Sequence, residues 1–180
     1  ELKELSLQRK FLMTDSSKMK IKLKSYLDRV FPELETIVDI HRKAIRAILK
    51  KYPTALDISN VRIDHLKKLA KEVSKGKYSL SKIELVKEAA KSSIGFYSEA
   101  IGLNIIQCIE TLEIKEKQID IIEKSIISHP LVIESPLHKV KGFNSIEIGY
   151  IMSAIISIDR FSSPKKLIAY AGLDPKIRQS

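Results

Sequence analysis

Residues 98–128 read SEAIGLNIIQCIETLEIKEKQIDIIEKSIIS, and this stretch decides the fold. Its apolar positions recur at intervals of seven, at Ile105, Leu112, Ile119 and Ile126, with companions at Ile101, Cys108, Lys115 and Ile122. An apolar pair repeated every seven residues is typical of a helix that packs lengthwise against another helix. We therefore predict one long helix with coiled-coil character over residues 98–128, ending before Pro130.

A second long helix is predicted over residues 1–31. Its apolar seam contains Leu2, Leu5, Leu12, Met19, Leu23, Tyr26 and Val30, interrupted by Arg9 and Ser16. It should end at Phe31, because Pro32 disfavours the α conformation in the residue before it. Two interpretations follow for residues 98–128. Either they join copies of the chain or separate domains as a stalk, or they pack on residues 1–31 as an antiparallel hairpin within one chain.

The composition favours an all-α protein. Apolar residues make up 44% of the 180 residues, but aromatic residues only 6%, and Trp is absent. Leu, Ile, Lys and Glu dominate, as in long helices and coiled coils rather than in sandwiches or barrels. We expect a helical bundle with long coiled-coil helices, followed by a small helix-hairpin-helix-like domain.

Three local predictions concern the segment between the long helices. A helix is predicted from Glu33 to Lys51, with Ile45 and Ile48 inward and Arg46 on the exposed side. Another is predicted from Ile63 to Ser74, ended by the turn that contains Gly76. A further helix should begin with a capping box formed by Ser81 and Glu84.

The segment after Pro130 has short apolar stretches separated by turns that contain glycine. In LHKVKGFNSIEIG, residues 137–149, a turn at Gly142 precedes a helix capped by Asn144 or Ser145. This resembles a helix-hairpin-helix, in which glycines let main-chain N–H groups at a helix start approach a DNA phosphate. Asn144 stands where such motifs have a second glycine, and we expect it to tolerate a left-handed backbone there. A plain helix–helix turn is the alternative.

Residues 159–175, DRFSSPKKLIAYAGLDP, predict a short helix. Ser163 is expected to cap it, Pro164 to occupy its first position, and Gly172 to end it. Leu167, Ile168 and Ala171 should form its buried stripe.

Charge points to a polyanion partner. The net charge is +10, and residues 98–128 are the one segment with a net negative charge, with three basic and six acidic side chains. A basic excess around one acidic helix suggests nucleic acid touched by several surfaces, although Lys-rich faces also serve solubility. The candidate nucleic-acid contacts are Lys139, Lys141, Gly142, Asn144, Lys165, Lys166, Lys176 and Arg178.

Several strings resemble one known family. RFSSPKKLIAYAGLDPKIRQS, residues 160–180, resembles the signature of the transposases of bacterial insertion sequences in the 110/116/902 family. VKGFNSIEIGYIMSAI, residues 140–155, is similar to that family's proline-glycine-isoleucine-glycine hairpin, with Lys141 in place of the proline and Asn144 in place of the second glycine. The segment at residues 2–95 is similar to its middle region, including the Phe-Pro-x-Leu-Glu break and the later Ala-x-x-Ser-Ile-Gly.

The resemblance implies a two-part recombinase. Such proteins have an N-terminal ribonuclease-H-like domain with an Asp-Glu-Asp-Asp metal site, then helical and coiled-coil segments, then a domain with a nucleophilic serine. Gln179-Ser180 stands at the family's serine element, so Ser180 corresponds to the catalytic residue that attacks a DNA phosphodiester. The domains become a helical linker at 1–97, a coiled-coil helix at 98–128 and the truncated start of the C-terminal transposase domain at 129–180.

The same resemblance sets the cofactor and the partners. We expect Mg²⁺ in a missing N-terminal domain, no metal or cofactor in these residues, and neither cutting nor joining of DNA by the 180 residues alone. The partners expected are DNA, a structured guide-like RNA, and further copies of the chain through the coiled coil. The rival interpretations are a non-catalytic nucleic-acid-binding module and a structural coiled-coil adaptor.

The cysteine content and the hydropathy of the sequence predict the compartment of the protein. Cys108 is the single cysteine, which excludes an internal disulfide and a cysteine zinc site. A reducing cytoplasm is therefore expected. Since no apolar run reaches the roughly 18 to 20 residues of a membrane span, no membrane association is expected.

Overall fold

The computed structural model describes residues 1–173, and every regular element in that range is helical. The α-helices are α1 (Leu2–Val30), α2 (Leu34–Ile37), α3 (Lys43–Lys51), α4 (Ala55–Asn60), α5 (Ile63–Ser74), α6 (Leu80–Lys91), α7 (Glu99–Ile127), α8 (Pro130–Ile133), α9 (Ser145–Ile155) and α10 (Pro164–Tyr170). Two short 3₁₀ helices span Pro136–Lys139 and Ile158–Arg160. The predicted all-α class is confirmed. None of the helices within residues 1–173 is long and apolar enough to cross a membrane.

The chain divides into two compact units. The central unit is residues 11–120, and the terminal unit combines residues 1–10 with residues 121 onward. Helices α1 and α7 each contribute to both units because each runs through a boundary. This division follows contacts, whereas the division at residues 97 and 128 follows motifs and stays a prediction.

The two predicted long helices are confirmed as α1 and α7. In the central unit, the seams of both helices are buried in one core that includes Leu23, Leu27, Val30, Ile105, Cys108, Ile109 and Leu112. Lys115, the charged residue of the α7 seam, pairs with Asp15 of α1 at 2.9 Å between Nζ and Oδ2. In the terminal unit, Leu2 of α1 and Ile126 of α7 share a second core. The heptad residues are therefore covered within one chain, as the antiparallel hairpin interpretation requires, and they give no support to a coiled coil between copies.

The predicted continuous helix from Glu33 to Lys51 is wrong, because the chain breaks between α2 and α3. Val38 is extended, with φ −142° and ψ 153°. Asp39 then closes a turn: its Oδ1 accepts the N–H of His41 at 2.9 Å, and its carbonyl accepts the N–H of Arg42 at 3.1 Å. Asp favours such local turns over helix because its side chain competes for backbone donors.

Arg46 was predicted on the exposed side of its helix, and this is also wrong. Its side chain is 4% exposed, and its guanidinium forms a two-bond pair with Glu116 of α7 at 2.7 and 2.8 Å. Hydrogen bonding from Arg46 is the main cause that lowers the pKa of Glu116. Burial of the guanidinium is tolerable because a fork-shaped cation meets a carboxylate in matching geometry.

Helix α5 confirms the prediction for Ile63 to Ser74, but the next predicted start is wrong. Helix α6 begins at Leu80 with Ser79 in the cap position, so Ser81 lies inside the helix. The hydroxyl of Ser81 instead pairs with that of Ser79 at 2.7 Å, and Glu84 pairs with Lys67 of α5. Helix α4 was not predicted. It starts at a capping box in which Thr54 and Asp57 satisfy each other's backbone N–H groups.

The terminal unit has a small core of its own, formed by Leu2, Ile126, Val132 and Ile148. Gly149 lets α9 approach α7, because a Cβ at this position would lie 2.4 Å from Cγ2 of Ile126. A side chain at this position would require α9 or Ile126 to move, so the close approach of the two helices depends on glycine.

Candidate nucleic-acid interface at the C-terminal hairpin

Two short helices lead into the hairpin, and both are fixed by side-chain caps. His129 Nδ1 accepts the N–H of Leu131 at the start of α8, and Ser135 Oγ accepts the N–H of Leu137 at the start of the 3₁₀ helix. His138 Nε2 lies 2.8 Å from the carbonyl oxygen of Val132. Since a carbonyl can only accept, Nε2 of His138 carries the hydrogen. These bonds hold the first limb of the hairpin against α8.

The turn itself depends on Gly142 and Asn144 in different ways. Gly142 has φ +104°, a conformation that residues with side chains rarely adopt, although a Cβ there would meet nothing within 4 Å. Asn144 is the N-cap of α9, as one of the two predicted caps, but its backbone is extended at φ −91° and ψ 166°. The expectation of a left-handed Asn144 is therefore wrong. Its side chain caps the helix instead of replacing a glycine.

A complete capping box occupies the start of α9. Asn144 Oδ1 accepts the N–H of Glu147 at 3.0 Å, and Glu147 Oε2 accepts the N–H of Asn144 at 2.8 Å. The Glu147 carboxylate thus lies where the positive end of the helix would attract an anion. The box does not use the other first-turn N–H groups, those of Ser145 and Ile146. A phosphate approaching this helix end must use those groups or displace Glu147.

Beside the helix start lies a cleft of about 450 Å³, lined by Arg9, Ile127, Asn144, Ser145, Ile146, Glu147 and Tyr150. Arg9 donates to Glu123 Oε1 from Nε at 2.8 Å and to the Tyr150 hydroxyl at 3.0 Å. The guanidinium also lies 5.7 Å from the centre of the Tyr150 ring. Burial opposes the charge of Arg9, but its bonds to Tyr150 and Glu123 outweigh burial and raise its pKa. Arg9 therefore stays cationic while it ties α9 to α7.

Sequence reasoning missed this role. Arg9 was only a polar exception in an apolar seam, and that interruption was the one available signal. Its partners lie 114 and 141 residues away in sequence, so no local pattern could identify them.

The predicted contacts around the turn lie together on the surface. Lys139 ends the 3₁₀ helix, and Lys141 precedes Gly142. Both lysines and Asn144 are exposed, as are the apolar side chains of Val140 and Phe143. Basic groups beside an exposed aromatic ring suit a phosphate backbone with a neighbouring base or sugar.

Lys165 and Lys166 lie elsewhere, in the first turn of α10. This helix starts at Pro164 with Ser163 in the N-cap position, as predicted, but the Ser163 side chain makes no cap bond. The helix ends at Tyr170, and Gly172 follows at φ +74°. The N–H groups of Gly172 and Leu173 bond the carbonyls of Ala169 and Ile168, a Schellman end. The Tyr170 hydroxyl donates to the Ala154 carbonyl at 3.3 Å. Helix α10 is thus joined to the far end of α9, and α9 is about 16 Å long.

The predicted buried stripe of α10 is wrong. Ile168 is 46% exposed, Ala171 is exposed and Leu167 is half-buried. A seven-residue helix held by a ring contact between Phe161 and Tyr170 does not need an apolar face in the core.

Three predicted site residues, Lys176, Arg178 and Ser180, lie outside the described residues. Within residues 1–173, the structure places no group of three or more His, Cys, Asp or Glu side chains that could hold a metal ion. The described side chains therefore offer no fit for the Mg²⁺ that the resemblance implies, and no chemical step is assigned to a metal here.

The C-terminal part of the described chain is thus a turn, a capped helix α9 and a short helix α10 that is followed by a glycine. Residues 134–180 match the family model described as Transposase IS116/IS110/IS902 family. These residues, about a quarter of the chain, are therefore similar to that family, and the predicted resemblance is confirmed for them. The likeness of residues 2–95 to the family's middle region stays a prediction. Comparison with curated proteins and with solved structures finds no match to the chain.

Proposed function

We propose that the chain is part of a DNA transposase that cuts and rejoins phosphodiester bonds through Ser180. One observation carries this proposal: the family match covers residues 134–180 and so includes the serine element at Gln179-Ser180. The domain makes a transposase-type enzyme the coarse conclusion. The serine chemistry and the DNA contacts are the finer part of the proposal.

The chemistry requires few groups. Ser180 Oγ attacks phosphorus, the bond from phosphorus to one deoxyribose oxygen breaks, and a phosphoserine and a free DNA hydroxyl result. The serine proton passes to a base, and the departing oxygen takes up a proton. Attack of a DNA hydroxyl on the phosphoserine reverses these changes, so the strand is rejoined without ATP. Lys176 and Arg178 are the nearest cations in sequence that could stabilise charge on the phosphoryl oxygens.

The hairpin is proposed to hold the DNA backbone. In this proposal Lys139 and Lys141 contact phosphates, the N–H groups of Ser145 and Ile146 at the start of α9 add further donors, and Gly142 shapes the turn. We expect the start of α9 to bind a phosphate only weakly, because the Glu147 carboxylate of the capping box repels it at short range. Lys165 and Lys166 form a second, separate contact on α10.

Ser180→Ala in the longest natural form of the protein tests the catalytic part. We expect loss of strand exchange and loss of the covalent protein–DNA species that is trapped by denaturation. Ser162→Ala is the matched control, since Ser162 is an exposed serine of the same domain and should leave both readouts unchanged. Strand exchange by Ser180→Ala at the unaltered rate would remove Ser180 from the mechanism.

Of the rival functions, the structural coiled-coil adaptor has the least support. An adaptor needs an apolar seam that is open to a partner, but Ile105 and Leu112 are fully buried in the core of the central unit. Metal in a separate domain, a guide-like RNA and a cytoplasmic location stay proposals that follow from the family.

A further inference from the structure

A second basic surface lies in the central unit, far in sequence from the C-terminal hairpin. It is a cleft of about 460 Å³ between the start of α3 and the end of α5, lined by Arg42, Lys43, Ala44, Val73, Ser74, Lys75, Lys77 and Tyr78. We call it the α3–α5 cleft. Among residues 1–173, its lining includes four cations and no carboxylate. All four cationic side chains are exposed.

The backbone around the α3–α5 cleft holds these cations in defined places. Lys75 is left-handed at φ 51°, an uncommon conformation for a residue with a side chain, and Gly76 follows at φ 77°. The N–H of Gly76 bonds the Lys71 carbonyl at 2.9 Å, and the N–H of Tyr78 bonds Ser74 Oγ at 3.1 Å. The turn therefore presents Lys75 and Lys77 on either side of a single glycine.

The opposite wall of the cleft, at the start of α3, adds to the positive field. Arg42 is the N-cap of α3 and provides no side-chain cap, so the positive helix end meets the cleft together with Lys43. Arg42 forms one ion pair, with Asp39, at 3.2 Å between Nε and Oδ2. Both partners are more than half exposed, so this pair neutralises the wall only weakly.

A neighbouring cleft provides the contrast. It has about 650 Å³ and shares Lys43 and Val73 with the α3–α5 cleft, but it is also lined by Glu113, Glu116 and Asp120. There Arg46 is paired with Glu116, and Lys50 with Glu113 at 2.8 Å. Two cations of that cleft are therefore paired with carboxylates of α7, whereas no carboxylate lines the α3–α5 cleft.

The geometry points to the α3–α5 cleft as a binding site for the phosphodiester backbone of a nucleic acid. Lys43, Lys75 and Lys77 contact phosphate oxygens, and Arg42 and the Tyr78 hydroxyl border the strand. This goes beyond the proposed function, because it places a nucleic-acid contact in residues 42–78, outside the matched domain. It is also independent of Ser180, so either proposal can fail alone.

The experiment compares two triple variants of the full chain that lose the same charge. K43Q/K75Q/K77Q removes the lysines of the α3–α5 cleft. K68Q/K71Q/K82Q removes three exposed lysines of α5 and α6 that line neither cleft. Binding to a labelled 20-base-pair DNA duplex and to an RNA duplex of the same sequence is measured by fluorescence anisotropy between 50 and 300 mM salt. Circular dichroism checks that both variants keep their helices.

We expect the affinity of the cleft variant at low salt to fall about tenfold or more. The slope of log K against log salt should become shallower by about three, because three phosphate contacts are lost. The matched variant should lose less than about threefold. K43R/K75R/K77R, which keeps the charges, should restore binding. A loss on one duplex only identifies that nucleic acid as the ligand. Equal losses in the two glutamine variants, or no loss in either, would overturn the assignment.

Discussion

At the scale of single residues, Lys87 of the central unit forms three hydrogen bonds to the backbone with a single side chain. Its Nζ donates to the carbonyls of Ile58, Ser59 and Val61 at 3.0, 2.6 and 2.6 Å, at the end of α4. Burial is the main cause that lowers its pKa, with Lys91 adding to the effect. One cation thus covers three carbonyls that the helix end leaves without intrahelical partners.

Lys87→Met should destabilise the chain, because it keeps the apolar stem and removes all three donors. We expect a loss of about 1–3 kcal/mol in the free energy of unfolding, the usual result of leaving buried polar groups without partners. Lys91→Met is the control. Lys91 pairs with Glu88 on the surface, and its loss should cost less than about 0.5 kcal/mol. Urea unfolding followed by circular dichroism measures both; equal losses would contradict the role of Lys87.

Residue chemistry was also where sequence reasoning was weakest. Ser81 and Glu84 have the spacing of a capping box, yet the boxes of the structure use Thr54 with Asp57 and Asn144 with Glu147. The spacing is necessary but not sufficient, because the helix start is decided by packing of residues such as Ile83 and Val86 in the core. Arg46 escaped prediction for the same reason, since its partner Glu116 lies on a distant helix.

At the scale of elements, the position of α9 depends on Gly149. Gly149→Ala would place a Cβ 2.4 Å from Cγ2 of the buried Ile126, so α9 must shift away from α7. We expect a cost of about 1–3 kcal/mol from overpacking, which exceeds the gain of up to about 1 kcal/mol in helix propensity. Hydrogen exchange of the amides in Ser145–Ile155 should become faster, by about tenfold or more.

Ile126→Ala in the same chain is the control for Gly149→Ala. It removes the methyl group that clashes, so the double variant should lose less stability than the sum of the two single variants. Strict additivity, or exchange in α9 that Gly149→Ala leaves unchanged, would show that contact with α7 does not position this helix.

At the scale of the whole molecule, the periodicity of apolar residues predicted the long helices but not the segments that connect them. The two long helices, and α5 between them in sequence, were predictable because their apolar residues recur at intervals of three, four and seven, as in an amphipathic helix. The break at Asp39 and the exposure of α10 were not predictable from periodicity. Each depends on which surfaces the long helices leave uncovered after they have packed. The hairpin turn was predictable from Gly142 and Asn144, but the part played by Arg9 was not, because its partners come from distant helices. Periodicity also left open whether the α7 seam faces the same chain or another copy.

Leu112 decides that last question. Leu112→Ala should lower the free energy of unfolding by about 2–5 kcal/mol, because the side chain is fully buried in the core of the central unit. The molar mass from light scattering should not change, since this seam packs within one chain. Ile114→Ala is the matched control: Ile114 is 56% exposed on the same helix, and its loss should cost less than about 0.5 kcal/mol. If Leu112→Ala instead lowers the molar mass while the helical dichroism is retained, the seam joins copies of the chain and the hairpin interpretation fails.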